Sequence, residues 1–143
     1  MPLHYAALAQ AIQSLNPGRV LVTGYPDITR NQAGNVAAIL GPGDVTLISK
    51  GDAAFASQKI IPTLDAAVAA AAKAYHWAVV QGINADFLIH GYPSTAPWIR
   101  TLGQSLESQG DDDGTFHPNA AGHLDIAGHL LDTYMGLSGK AKA

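Results

Sequence analysis

Two short, uninterrupted apolar runs constrain the fold of this chain more than any other feature. Val-Leu-Val at residues 20–22 and Trp-Ala-Val-Val at residues 77–80 are typical of strands that are buried on both faces of a parallel sheet. Apolar residues recur at helical spacing around these runs, over residues 5–15, 61–75 and 118–134. The alternation of helices and strands predicts an α/β fold with right-handed crossovers.

The segment between residues 27 and 59 interrupts this alternation. Four glycines and Pro42 break every periodic pattern there, so we predict a long loop excursion with one short strand at residues 45–48. Helical character returns over residues 98–106. The chain has 143 residues, of which 48% are hydrophobic and 13% charged, and this balance predicts a single domain, residues 1–143, with a buried core.

Charge and composition exclude several classes of partner. The net charge is −3 and Lys and Arg do not cluster, so nothing indicates binding to nucleic acid or to an anionic membrane. No apolar stretch approaches the roughly 18 residues that span a bilayer, and the first residues carry no signal-peptide pattern. The absence of cysteine removes disulfides and thiolate ligands but leaves the localisation unknown.

Two patterns that could hold a metal fail on spacing. For the Asp-Asp-Asp-Gly run at residues 111–114, an EF-hand register would place Gln109 first and Ala120 twelfth, and neither supplies the required carboxylate. His117, His123 and His129 are spaced six residues apart, a rotation of about 240° on a helix, so they share no face. The sequence therefore predicts no metal site, and it also predicts no cofactor.

A histidine directly before a proline is the strongest candidate for chemistry. His117 lies in the block Gly-Thr-Phe-His-Pro-Asn-Ala-Ala-Gly-His at residues 114–123, and Pro118 suits the first position of a helix because its fixed φ matches helical backbone. His117 is therefore predicted at a rigid junction between a loop and the last helix. Taken alone, the position also fits a polar cap.

This block resembles the last conserved block of the SGNH (GDSL-type) ester hydrolases. Weaker similarity at residues 20–27, 77–80, 87–92 and 98–99 extends the resemblance over most of the chain. The resemblance implies a flavodoxin-like parallel sheet with flanking helices, a three-layer α/β/α arrangement. It also implies that His117 is the general base that takes a proton from a serine hydroxyl and returns it to the leaving alkoxide.

The partner of this histidine departs from the family pattern. Many members carry an aspartate three residues before the histidine, where this chain has Gly114. Asp113, four residues before, is the second candidate catalytic residue, and a loop carbonyl is the alternative. Three further residues are expected by position to bind substrate: Tyr25, His90 and Trp98. For His90 a satisfied core histidine is the competing interpretation, and for Tyr25 and Trp98 it is an ordinary core position, which is more common for single aromatic residues.

The family's nucleophile block, Gly-Asp-Ser, and its following glycine and Gly-x-Asn-Asp blocks are absent from this sequence. The chain thus resembles the C-terminal half of such an enzyme, and its sheet is expected to be incomplete. A missing N-terminal half or a second chain would supply the serine and the oxyanion donors. Ser94 and Ser105 lie in no nucleophile turn. The open strand edge at residues 20–22 favours association, and a homo-oligomer is one expected form.

Two functions from different classes remain. The first is an ester hydrolase that acts on a small ester or lipid substrate through a serine outside this sequence, so the chain alone is expected to be inactive. The resemblance is compatible with secretion. The alternative is a non-catalytic α/β module, truncated or degenerate, that acts as a binding or assembly partner.

Overall fold

The computed structural model describes residues 2–140. The α-helices within them are α1 (Pro2–Ser14), α2 (Lys50–Phe55), α3 (Ile61–Tyr75), α4 (Ile83–Phe87), α5 (Leu102–Gln109) and α6 (Ala120–Lys140). The strands are β1 (Leu21–Val22), β2 (Ile39–Leu40), β3 (Thr46–Ile48) and β4 (Ala78–Val79). A 3-10 turn, Pro42–Asp44, lies between β2 and β3, and a π-helical turn, Ala56–Ile60, joins α2 to α3.

β1 and β4 pair in parallel, as the two apolar runs predicted. The register joins Leu21 to Ala78 and Val22 to Val79. The helix α3 lies between the two strands in the sequence and contacts β4, so the three elements form a β-α-β unit. Within residues 2–140 this sheet has only these two strands. The mixed α/β content is confirmed, and the larger flavodoxin-like sheet stays a prediction.

The segment 27–59 has more regular structure than the sequence indicated. β2 and β3 form an antiparallel hairpin, and β3 confirms the strand predicted at residues 45–48. Residues 50–59 are helical, so the prediction of a loop there was wrong. The reason is a cap: the Ser49 side chain accepts a hydrogen bond from the Asp52 N–H, which starts the helix despite Gly51 in its first turn.

The helix predicted over residues 98–106 begins later, at Leu102. Thr101 and Gln104 form a reciprocal capping box, in which each side chain bonds the backbone N–H of the other. The preceding residues are extended instead and pair with the loop before α6. Arg100 donates its N–H to the His117 carbonyl at 2.8 Å, so this extended segment helps to fix the His117 loop.

The last helix also begins later than predicted, at Ala120 rather than at Pro118. The Asn119 side chain accepts hydrogen bonds from the N–H groups of residues 121 and 122, which makes Asn119 the cap. Pro118 pairs with Ile99 in an isolated antiparallel bridge. His117 therefore lies in a bend of the loop before the helix and not at its first turn.

The core lies where β4 and α4 meet α6. Its most buried side chains are Ile39, Val80, Ile83, Phe87, Tyr92 and Ile99. Gly122 lets α6 approach this core closely, because a Cβ atom there would lie 2.5 Å from the Trp98 carbonyl oxygen. Ile126 and Leu130 of the same helix pack against the core. The helix that follows the His117 block is thereby fixed in place.

A second face of α6 is apolar and exposed. Leu124, Leu131 and Met135 are 76%, 60% and 59% exposed, and their spacing places them on one side of the helix. Such a stripe is consistent with the predicted association of the chain, which stays a prediction. No helix within residues 2–140 is both long and apolar enough to cross a membrane.

Candidate functional site

A cavity of about 480 Å³ opens beside the carboxyl end of β1. Its size falls within the range of about 300–1,000 Å³ that is usual for small-molecule sites. The walls are mainly apolar and include Ile28, Ile48, Ile61, Leu64, Ile83 and Ile126. His117 is exposed and lies on the same wall as its neighbours Phe116 and Pro118. An imidazole next to an apolar cavity can act as an acid or a base on a bound ligand.

Backbone hydrogen bonds position His117. Phe116 donates its N–H to the Arg100 carbonyl at 3.1 Å, and Arg100 donates to the His117 carbonyl at 2.8 Å. Phe116 has a left-handed φ of 69°, an uncommon conformation for an aromatic residue, which turns the chain sharply just before the histidine. Phe116 also contacts the Tyr92 ring with the centroids 5.4 Å apart. The loop is therefore held on both sides of the catalytic candidate.

The imidazole of His117 has no hydrogen-bond partner within residues 2–140. Asp113 is exposed, and its N–H bonds the Asp111 carboxylate at 3.1 Å, but its own carboxylate does not reach the imidazole. Ser94 and Ser105 donate to backbone carbonyls and not to the histidine. The pairing of Asp113 with His117 that the sequence suggested is not formed here, and the roles of both residues stay predictions.

The three residues that were expected to bind substrate lie at two different sites in the structure. Tyr25 lines the cavity together with His117. His90 and Trp98 lie elsewhere and stack on each other, with ring centroids 4.0 Å apart and planes 4° from parallel. The His90 Nδ1 atom is 2.8 Å from the Ala96 carbonyl oxygen, which satisfies one ring nitrogen within its own loop. This geometry fits the alternative of a satisfied structural histidine.

A buried carboxylate beside the cavity escaped the sequence analysis. Asp27 accepts hydrogen bonds from the Thr29 N–H at 3.0 Å, the Thr29 hydroxyl at 2.6 Å, the Ser57 hydroxyl at 2.6 Å and Arg30 Nε at 2.7 Å. Burial raises the pKa of Asp27, but the hydrogen bonds from Ser57, Thr29 and Arg30 outweigh it and lower the pKa below 3.8. Thr29 lines the cavity, so this network supports its wall.

A second carboxylate connects the loop after β1 to the helices α3 and α4. Asp65 of α3 accepts from the Tyr25 N–H at 2.8 Å and from the Asn84 side chain of α4 at 2.7 Å. Gly24 is required for this contact, because a Cβ atom there would lie 2.6 Å from Asp65 Oδ1. The loop after β1 is therefore tied to both helices, and no local sequence signal marks these long-range bonds.

A third cluster lies in a separate groove between α4 and α6. His129 is 2.8 Å from Asp86 and 3.8 Å from Asp125. Burial raises the pKa of Asp125; the charge of His129 opposes this shift, while Asp86 adds to it. From the sequence, His129 was considered as a metal ligand only together with His117 and His123. Its spacing of four residues from Asp125 is the signal that was missed.

Comparison with known proteins gives no match: no family model, no curated protein and no solved structure matches this chain. The chemistry of the site itself is therefore the evidence for function. The site combines an apolar cavity, a fixed histidine on its wall and a buried network behind it.

Proposed function

We propose that this chain is the base-bearing part of an ester hydrolase. His117 takes the proton from a serine hydroxyl, and the serine comes from sequence outside residues 1–143 or from a second chain. The acyl group of a small ester or lipid occupies the apolar cavity. The observation that carries the proposal is the place of His117 on the cavity wall beside the carboxyl end of β1, where parallel α/β sheets bind their ligands.

The proposal includes a larger sheet than residues 2–140 provide. β1 has β4 on one side, and in a flavodoxin-like order the added strands would pair next to β1. The three-layer α/β/α arrangement would then be complete. A serine at the end of an added strand would reach the same edge of the sheet as the cavity mouth. This arrangement supplies the nucleophile and the oxyanion donors together.

Within this proposal the neighbouring residues have distinct tasks. Tyr25 forms part of the acyl wall, because it lines the cavity. To activate the serine, His117 needs a hydrogen-bond acceptor for the N–H group of its other ring nitrogen, which fixes the tautomer. Asp113 is the candidate acceptor, since it lies in the same loop, is exposed and has a carboxylate without a hydrogen bond in residues 2–140. His90 and Trp98 lie outside this cavity and have no part in the proposed acyl site.

A non-catalytic binding module is the second candidate, and one observation favours it. The His117 imidazole contacts neither a serine hydroxyl nor a carboxylate within residues 2–140, so the chain holds an apolar cavity without an assembled catalytic pair. In this reading the cavity binds an apolar ligand, and His117 is a polar group at its wall. The two candidates differ in what happens when a serine-bearing polypeptide is added.

The test is a reconstitution assay with p-nitrophenyl butyrate. The chain is mixed with a polypeptide that carries the Gly-Asp-Ser block and is encoded in frame with it or beside it. We expect ester hydrolysis that depends on both components, and His117→Ala should lower turnover by about 10²–10⁴-fold, the usual contribution of a general base. The matched control is His123→Ala, an exposed histidine outside the cavity lining.

Two outcomes would contradict the enzymatic proposal. One is turnover by the mixture that His117→Ala leaves unchanged. The other is the absence of any Gly-Asp-Ser sequence around the gene. Either result would favour the binding module.

A further inference from the structure

The cluster between α4 and α6 has the composition of a metal site. Asp86 comes from α4, and Asp125 and His129 come from successive turns of α6. Each residue offers one ligand atom, and these three atoms lie within 4.8 Å of one another. The cluster thus joins two helices that are far apart in sequence, which is how protein metal sites are commonly built.

Hydrogen bonds within residues 2–140 do not satisfy all the polar atoms of this cluster, and the unsatisfied atom belongs to Asp125. The His129 Nε2 atom is 2.8 Å from Asp86 Oδ2, which is a hydrogen bond, but 3.8 Å from Asp125 Oδ1, which is too long for one. The second oxygen of Asp125, Oδ2, is buried and has no donor within residues 2–140. A buried carboxylate oxygen without a donor is costly, and a bound cation removes that cost.

The backbone is shaped to hold the histidine of this cluster. Gly82 precedes α4 with a left-handed φ of 98°, and a Cβ atom at this position would collide with the His129 ring. The ring therefore lies directly against the backbone of Gly82, which fixes its position. A preset imidazole lowers the entropy lost when a ligand binds.

We propose that Asp86, Asp125 and His129 bind a divalent transition-metal ion of the Zn²⁺ class. Imidazole and carboxylate together suit such an ion, whereas Ca²⁺ and Mg²⁺ require about six oxygen ligands. Zn²⁺ binds nitrogen and oxygen at about 2.0–2.2 Å, which separates neighbouring ligand atoms by about 3–3.5 Å. The two distances of 2.8 and 3.8 Å lie on either side of that range, and no separation among the three ligand atoms exceeds 4.8 Å. Side-chain shifts that bring the two carboxylates closer together would therefore complete the site.

The site leaves room for a further ligand. A groove of about 480 Å³ runs beside the cluster and is lined by Trp98, Leu124 and Asp132. Three protein ligands leave one tetrahedral position free, which water or a small donor molecule can occupy. The inference does not depend on the role of His117, because the His117 cavity has a separate lining.

The test is calorimetric titration of the chelator-treated full chain with ZnCl₂. We expect a site that binds about one Zn²⁺ per chain, with affinity reduced by about tenfold or more in His129→Gln and Asp125→Asn. The matched control is His123→Gln, which alters an exposed histidine of the same helix and should leave the affinity unchanged. Circular dichroism checks that each variant keeps its helices.

A third variant keeps the test decisive if the two partly buried ligands, Asp125 and His129, prove essential for folding. Asp86→Asn changes a side chain that is 47% exposed, so the fold should tolerate it while Zn²⁺ affinity falls. Failure of the wild-type chain to bind Zn²⁺ would overturn the proposal. So would unchanged affinity in Asp86→Asn, or an equal loss in His123→Gln, which would indicate nonspecific binding to surface histidines.

Discussion

Replacement of Asp27 by alanine should destabilise the fold more than any other single change to a carboxylate of this chain. The substitution removes the acceptor of the bonds from Thr29, Ser57 and Arg30 at 2.6 to 3.0 Å. These bonds link the loop after β1 to the π-helical turn that contains Ser57. Without Asp27, the hydroxyls and the guanidinium would lose a buried anionic partner.

The magnitude follows from burial. Breaking a buried ion pair by removing one partner costs about 3–5 kcal/mol. Arg30 keeps some access to water, since its side chain is 29% exposed, and it retains its bond to the Gly34 carbonyl. The lower end of the range therefore applies, about 3 kcal/mol. With a urea slope of about 2 kcal/mol/M, the unfolding midpoint should fall by about 1.5 M.

Urea denaturation followed by circular dichroism measures this loss. The matched control is Asp112→Ala, an exposed aspartate, which should stay within about 0.5 kcal/mol of the wild type. A double-mutant cycle of Asp27→Ala with Ser57→Ala should give a coupling energy of about 1 kcal/mol or more. A loss within about 0.5 kcal/mol for Asp27→Ala, as small as that of the control, would refute the view that this network supports the cavity wall.

Asp27, His117 and the open side of β1 each lead to one further prediction. The hydrogen bonds to Asp27 lower its pKa in the folded state, so its contribution to the free energy of unfolding should be complete above the unfolded pKa and lost as the pH falls through the folded pKa. The free energy of unfolding of Asp27→Ala should therefore depend less on acid pH than that of the wild type. Equal pH dependence in the two proteins would contradict this. The isolated chain should hydrolyse p-nitrophenyl butyrate no faster than its His117→Ala variant, and activity that disappears in the variant would reveal a nucleophile within the chain. Sedimentation should show dimers or larger species, because β1 pairs on one side and Leu124 and Leu131 are exposed; a monomer over a wide concentration range would contradict this.

The regular elements were largely predictable from local pattern. Both parallel strands and the helices over residues 5–15 and 61–75 were predicted, because helical spacing and continuous apolar runs are local signals. The first residues of the helices were predicted less accurately. Ser49 starts a helix despite Gly51 in its first turn, and Asn119 starts the last helix two residues after Pro118, the predicted first residue. The hydrogen bonds of these two caps decide where each helix begins, and composition does not show which cap forms.

The candidate site was only partly predictable, for a similar reason. His117 and Tyr25 were identified and do line one cavity. Asp27 was missed because its partner Ser57 lies thirty residues away in sequence, in a segment that was predicted to be a loop. The prediction of no metal site tested only the Asp run at residues 111–114 and the histidines spaced six residues apart. The cluster proposed here takes its third ligand from α4, which only the tertiary structure brings close.

The central claim is that the His117 imidazole faces a cavity that accepts an acyl group. The most direct measurement is a titration with methyl butyrate, followed by carbon–proton NMR correlations of the histidine rings. We predict a saturable shift of the His117 signal, with the His123 signal unchanged because that residue lies outside the cavity lining. A His117 signal that stays fixed at saturating ester, or equal shifts at every histidine, would contradict the account.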